Sequence, residues 1–219
     1  MKERNITVTL DKAREWFNSG NATLKEIALQ AFSKEELNRF DFTKIKTFED
    51  ALTALGYDES TKAYTRNTIN DISMYSKASA AMTKLNIIRK ALNLGQDLHL
   101  KKGSKDYYIY YPYNPFVTKS STHYEFKINS GKMEVIGKIK SEGEEYNVLG
   151  GSASFGGNAG LGYFCSGSGV GDTYANIGFL GCANKEIAQH FGKYFGMLIT
   201  EAKYGDIVDF EIIEAIHYA

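Results

Sequence analysis

An α+β fold is predicted for this chain, on three observations. Capping residues and helical periodicity fill positions 1 to about 95, tyrosine-rich and alternating runs follow from about 105, and a strong amphipathic helix lies near the C-terminus. The predicted architecture is a helical N-terminal region (1–95), followed by a mixed or antiparallel sheet domain with a glycine-rich loop and a packed C-terminal helix (105–219). A polar segment from Leu94 to Asp106, with Gly95, Gly103 and several lysines, marks the boundary.

In the first region Thr9 suits the N-cap of a helix carrying Ala13, Trp16 and Phe17 and stopping near Gly20. Leu24, Ile27, Ala28 and Ala31 predict a second helix over about 24–32. Ser33 with Glu36 reads as a capping box, Thr47 with Asp50 offers another start, and Gly56 the matching stop. A longer helix is expected over 77–93, with Ala81, Leu85, Ile88 and Leu92 as its apolar stripe.

Beyond the boundary, Tyr107–Tyr111 reads as a strand closed by Pro112. Further strands are expected at Tyr124–Ile128 and Met133–Ile139, with Ser130-Gly131 as a hairpin turn between them. Others are expected at Glu145–Leu149, Ala175–Leu180 and Ile207–Ile216. Asn184 suits the cap of a helix over about 185–203, buried through Ile187, Phe191, Tyr194, Phe195, Leu198 and Ala202. Gly192 and Gly196, one turn apart, let another element approach that helix closely. Between Gly150 and Cys182 fall roughly half of the chain's 21 glycines, which favours coiled loop framed by strands.

The bulk composition excludes several functions. A formal net charge of zero favours neither a nucleic-acid backbone nor an anionic membrane as partner. No apolar run approaches the roughly 18 residues that span a bilayer. Met1–Asn5 leads into an alternating stretch and not an apolar one, so a protein made and folded in the cytoplasm is expected, with a virion as an alternative destination. Two cysteines, Cys165 and Cys182, make no disulfide framework. The 15 tyrosines suit both strand filling and recognition surfaces.

Catalytic patterns are missing. His99, His123, His190 and His217 are scattered, no zinc spacing or Walker loop occurs, and no G-x-S-x-G elbow is present. Gly167-Ser168-Gly169-Val170-Gly171 lacks the spaced third glycine and following helix that phosphate binding needs. Cys165 with His123 or His190 as base is a conceivable nucleophile, but a lone strand cysteine is more often a small buried hydrophobe. Glu142, Glu144 and Glu145 read as a charged, solvated turn. No metal or cofactor is implied.

Two resemblances add to this reading. Gly150-Gly151-Ser152-Ala153-Ser154-Phe155-Gly156-Gly157-Asn158-Ala159-Gly160-Leu161 and Ala175-Asn176-Ile177-Gly178-Phe179 resemble the C-terminal signature of C-type-lectin-like folds. The branch is the one shared by formylglycine-generating enzymes and retroelement variable proteins. It implies a ligand face around a variable loop, although Leu180 stands where the branch has Arg and calcium-site motifs are absent. More of the chain resembles uncharacterised proteins of Bacteroidales and their crAss-like phages. The likeness lies in Val8–Phe17, Leu24–Phe32, Thr47–Ala51, Lys84–Asn93, Tyr111-Pro112 and Glu186–Phe195. It implies a phage origin and no settled activity.

The functional expectation is a non-enzymatic binding module that recognises a glycan or a protein surface. The glycine-rich loop from Ser152 to Thr173 would present Asn158, Asp172, Tyr174 and Asn176 beside Tyr111 and Tyr113. A virion assembly protein, with a homo-oligomer as its mark, and an intracellular phage accessory protein acting on a host factor are the alternatives.

Overall fold

The structure, a computed structural model, describes residues 8–19, 21–38, 40–94, 101–102, 107–112, 115–120, 122–131, 133–151, 166–169 and 180–216. The fold is α+β. The chain divides into two compact units, Met1–Asp41 and Phe42–Ala219. The change of composition near residue 95 marks where strands begin, whereas the compact units follow packing.

The described residues of the first unit form three short helices: α1 (Leu10–Asn18), α2 (Ala22–Ala31) and α3 (Lys34–Asn38). Thr9 caps α1 by accepting the Lys12 N–H at 3.4 Å. Asn21 Oδ1 accepts from Thr23 and Leu24 N–H at 3.0 and 3.2 Å, so α2 starts two residues before the expected Leu24. The Ser33–Glu36 capping box forms in both directions, at 3.2 and 2.8 Å. The donated Ser33 bonds hold the Glu36 carboxyl below its usual range. Ala13, Ala28 and Leu37 are buried together, with Trp16, Phe17 and Phe32 packed around them.

The second unit opens with α4 (Phe48–Ala54), α5 (Glu59–Ser73) and α6 (Lys77–Leu92). Thr47 and Asp50 make the expected capping box. Gly56 and Tyr57 N–H close the helix end by donating to Thr53 and Leu52 carbonyls at 2.9 and 3.1 Å, a Schellman motif. Helix α5 is not among the expected elements. It buries only Ile69, so its apolar periodicity is faint. Its supports are polar: Asp58 caps Thr61 N–H at 2.7 Å, and Arg66 grips Glu49 with two bonds of 2.8 and 2.6 Å.

The strands are β1 (Lys101–Lys102), β2 (Tyr107–Tyr111), β3 (Phe116–Thr118), β4 (Met133–Ser141), β5 (Glu144–Gly151), β6 (Ser166–Gly169) and β7 (Glu211–Ala215). Among the described residues they form two antiparallel sheets, in the orders β1-β2-β6 and β3-β5-β4-β7. The strand expected at Tyr124–Ile128 is a correction. A 3-10 turn at Thr122–Tyr124 runs into a one-turn helix, α7 (Glu125–Asn129). Thr118, Ser120 and Thr122 bond to each other and to nearby backbone at 2.9–3.4 Å, curling the chain after β3. Phe126, which alternation places on a buried face, is 81% exposed. Ser130-Gly131 therefore ends a helix and is no hairpin turn.

Helix α8 (Lys185–Tyr204) is the spine of this unit. Asn184 caps it at 2.9 Å. It packs against α6 and touches β2, β4 and β5. Phe191 and Phe195 are fully buried and meet edge-to-face with ring centroids 5.8 Å apart; each contributes about 2–3 kcal/mol by burial. Gly192 and Gly196 are also buried, and the facing α6 buries Ala80, Ala81 and Ala91 beside its larger stripe. Small residues on both helices suit close approach. Toward the sheet, Met197 joins Ile136, Ile139 and Val148. Ile136 and Ile139 lie an odd number of residues apart, yet share that core because the β4 ladder shifts register between Val135 and Gly137.

Two features lock the C-terminal end. Asp206, just past α8, accepts from Ser76 Oγ and from Ala78 N–H at 3.1 Å. It thus places a carboxylate on the N-terminus of α6 from 128 residues away. Gly137 in β4 lies so close to β7 and α8 that a Cβ there would meet the Glu214 carbonyl oxygen and sit 2.6 Å from Met197 Sδ.

Gly137→Ala must push β7 or α8 outward. We expect a loss of about 2 kcal/mol, read as a fall in Tm of roughly 4–8 °C; an unchanged Tm would contradict the close approach. Asp206→Ala removes a carboxylate whose hydrogen bonds from Ser76 and Ala78 hold its pKa below 3.8. Its contribution is present above 3.8 and vanishes as pH falls through the lower folded value. The variant should therefore melt lower than wild type at pH 7, with the gap closing in strong acid. A gap independent of pH argues against the ionic cap.

Candidate functional site

Of the expected site residues, Asn158, Asp172, Tyr174, Asn176 and Tyr113 lie outside the described residues, as does Cys165. Tyr111 is the last residue of β2, paired with Ser166 of β6. What the structure does describe is how the glycine-rich stretch is held. At one end it continues from β5, which pairs with β3 up to Leu149 and with β4 up to Gly151. In its middle, Ser166–Gly169 is a strand and not the coil expected, because β2 supplies an antiparallel ladder that outweighs the low strand propensity of glycine. The register sets Tyr108 against Gly169 and Tyr110 against Gly167. At the other end, Leu180–Ala183 is buried.

That far end is fixed by one side chain. Asn93, the C-cap of α6, is 6% exposed. Its amide donates to the carbonyls of Arg89 at 2.7 Å and Gly181 at 3.3 Å, while its Oδ1 accepts the Ala183 N–H at 2.7 Å. The amide thus copies a backbone unit, satisfying both a helix end and an irregular buried segment. Beside it, the Cys182 thiol is buried and donates to the Leu180 carbonyl. His190 Nε2 lies 2.6 Å from the Ile45 carbonyl, and the ring stacks near Phe42 and Tyr194. That contact gives His190 a structural place, tying the segment before α4 to α8.

A concave feature lies elsewhere in this unit. A cleft of about 450 Å³ opens at the C-terminal end of α8, lined by Val117, Ile139, Tyr146, Tyr204, Val208 and Phe210, with Ser141 and Glu142 at its mouth. Its floor is the β4–β5 core described above. Ser141 Oγ donates to the Asp209 carbonyl at 2.6 Å, fastening the wall formed by Val208–Phe210 to β4. Tyr146 is oriented by a 3.1 Å bond from its hydroxyl to Glu144, which also pairs with Lys119; the Lys119 ammonium lies 5.7 Å from the Tyr146 ring centre. Lys119 and Tyr146 hold the Glu144 carboxyl below its usual range, and Glu144 holds the Lys119 ammonium and the Tyr146 phenol above theirs.

Glu142 and Gly143 form the two-residue turn between β4 and β5, with φ of 52° and 81°. Both values are left-handed, as the favoured hairpin turn requires. Glutamate in that position costs about 1 kcal/mol relative to glycine, and asparagine tolerates it better. The sequence signal for the cleft is thus an E-G turn between alternating strands, which reads as surface charge until the fold brings Tyr204 and Phe210 beside it.

Among the described residues no cluster of three or more His, Cys, Asp or Glu is placed to hold a metal ion, and no helix is long and apolar enough to cross a membrane. Replacing Asn93 by Leu would leave the buried Gly181 carbonyl and Ala183 N–H without their partner. A loss of about 2–3 kcal/mol is expected, measured by urea unfolding followed by circular dichroism; a loss under about 0.5 kcal/mol would show that other groups hold the segment. No family model, curated protein or solved structure matches the chain.

Proposed function

We propose that the protein is a non-enzymatic binding module that recognises a glycan or a protein surface through its glycine-rich segment. Asn158, Asp172, Tyr174 and Asn176 are its contact residues, together with Tyr111 and Tyr113. The observation that carries this reading is the β2–β6 pairing. It brings the middle of the segment against the tyrosine strand, and β6 carries no residue larger than serine. Aromatic residues beside small ones offer flat, amphipathic contact area, and amide and carboxylate groups add directional bonds. The anchoring at Gly151 and at Gly181–Ala183 supports the reading further, since a binding loop is most effective on a rigid support. A phage origin rests on the resemblance of the helical segments and of Glu186–Phe195 to phage proteins.

An assembly role is the second reading. Edge strand β7 pairs with β4, and exposed Ile212 and Ile213 follow the exposed Ile207 and Val208 in sequence. Such an edge is a template for pairing with another chain, although Glu211 and Glu214 oppose indiscriminate association. Light scattering after size exclusion separates the two readings, because a stable homo-oligomer supports assembly.

The binding reading is tested with a glycan array and host-lysate capture. The triple variant Asn158→Ala, Asp172→Ala, Tyr174→Ala should lose captured ligand at least tenfold while its Tm stays within about 2 °C of wild type. Retained capture by the triple variant would remove the segment from the function.

A further inference from the structure

We propose that the cleft at the C-terminal end of α8 is a separate binding site for a small organic cation: an amine or quaternary ammonium carrying an apolar alkyl or aryl body. The volume of about 450 Å³ falls within the range of small-ligand pockets. Six of its lining residues are aliphatic or aromatic, which sets the apolar body. Its charge sets the head group. Among the described residues Glu142 is the only acidic or basic one lining the cleft, and its carboxylate makes no ion pair with the others. Tyr146, Tyr204 and Phe210 supply rings, and tyrosine and phenylalanine faces attract cations.

The protein's own cations already use two of these rings: Lys119 lies over Tyr146, and Lys203 lies 4.7 Å from the Tyr204 ring centre. Neither lysine lines the cleft, and Lys119 is neutralised by Glu144. With Lys119 paired to Glu144, the charge left beside the cleft is the Glu142 carboxylate. An anionic head group would meet Glu142 directly.

The backbone at Glu142 is the second, independent observation. The turn demands left-handed φ, and asparagine or glycine would satisfy it with less strain. A strained glutamate at the mouth of an apolar cleft is what a stability-for-function exchange looks like. Tyr146 and the Val208–Phe210 wall are each pinned by hydrogen bonds that leave the cleft open, to Glu144 and through Ser141 respectively.

The test uses the full chain and calorimetric titration with octylammonium, octanoate and octanol at pH 7. Octylammonium should bind at least tenfold more tightly than octanoate. Glu142→Gln should erase most of that preference. Glu142→Asn should do the same while its Tm holds or rises, which separates lost recognition from lost folding. Val208→Trp, placed to fill the cleft from an exposed wall, should abolish binding of all three probes. Equal affinity for the three probes, or an undiminished preference in Glu142→Gln, overturns the proposal, as does binding that survives Val208→Trp. The triple variant of the glycine-rich segment should still take octylammonium, so failure of one reading is distinguishable from failure of the other.

Discussion

The second unit depends on a single buried amide. Asn93 ends α6 with a hydrogen bond to the Arg89 carbonyl and, through two more, holds the segment that leads into α8. An irregular buried stretch must find partners for every backbone N–H and carbonyl, and at Gly181–Ala183 regular structure offers no more than a single bridge at Cys182. The asparagine side chain has the same donor and acceptor as the peptide group, so it fills the role with no second chain segment. Serine or aspartate offers only part of that pattern. The α8 N-terminus is thereby fixed to the α6 C-terminus, and the two helices pack along their small-residue faces from that point. Asp206 repeats the device at the opposite end, where the residues after α8 cap the start of α6. An antiparallel helix pair stapled at both ends gives the sheet a rigid surface to lie on.

That arrangement explains why the sheets tolerate unusual sequence. Strand β4 carries a register shift and a glycine within contact distance of its neighbours, and β6 is alternating serine and glycine. Isolated strands of this kind would be weak. Here β2 supplies a ladder to β6, β2 touches α8, and α8 is itself fixed. Local propensity loses to tertiary constraint wherever a neighbouring element is immobile.

The same contrast decides how much was legible in the sequence. The α+β class was legible, and so were helix ends marked by Thr9, the Ser33–Glu36 and Thr47–Asp50 boxes and Asn184, because a cap is a contact between residues three or four apart. The α8 stripe was legible too, since Ile187, Phe191, Phe195 and Leu198 follow one face. Tyr194 and Ala202, expected in that stripe, are only partly buried. Helix α5 was not legible, because its stabilisation comes from Asp58 and the Arg66–Glu49 pair and not from an apolar face. Tyr124–Ile128 misled because alternation forecasts a strand only where a buried face awaits, and Phe126 faces water. The cleft left no local signal beyond the Glu142-Gly143 turn: Tyr146 lies in β5, Tyr204 ends α8 and Phe210 lies just before β7, and no short-range pattern joins the three. Asn93 was equally hidden, its partners being 88 and 90 positions away.

The geometry of α8 also separates the two binding readings. The helix has 20 residues, so its ends are about 30 Å apart at 1.5 Å per residue. The Asn93-held segment precedes its first turn, and the cleft forms around its last residue, Tyr204. No ligand group reaches from one to the other, and the helix between them is packed by Phe191, Phe195 and Met197 into a core with little freedom to shift. Coupling between distant sites needs an element with two discrete arrangements. A rigid helix stapled at both ends is a poor candidate for that element, so occupancy of the cleft should leave recognition by the glycine-rich segment unchanged. The anchor held by Asn93 and the cleft proposed as a cation site thus stand at opposite ends of one strut.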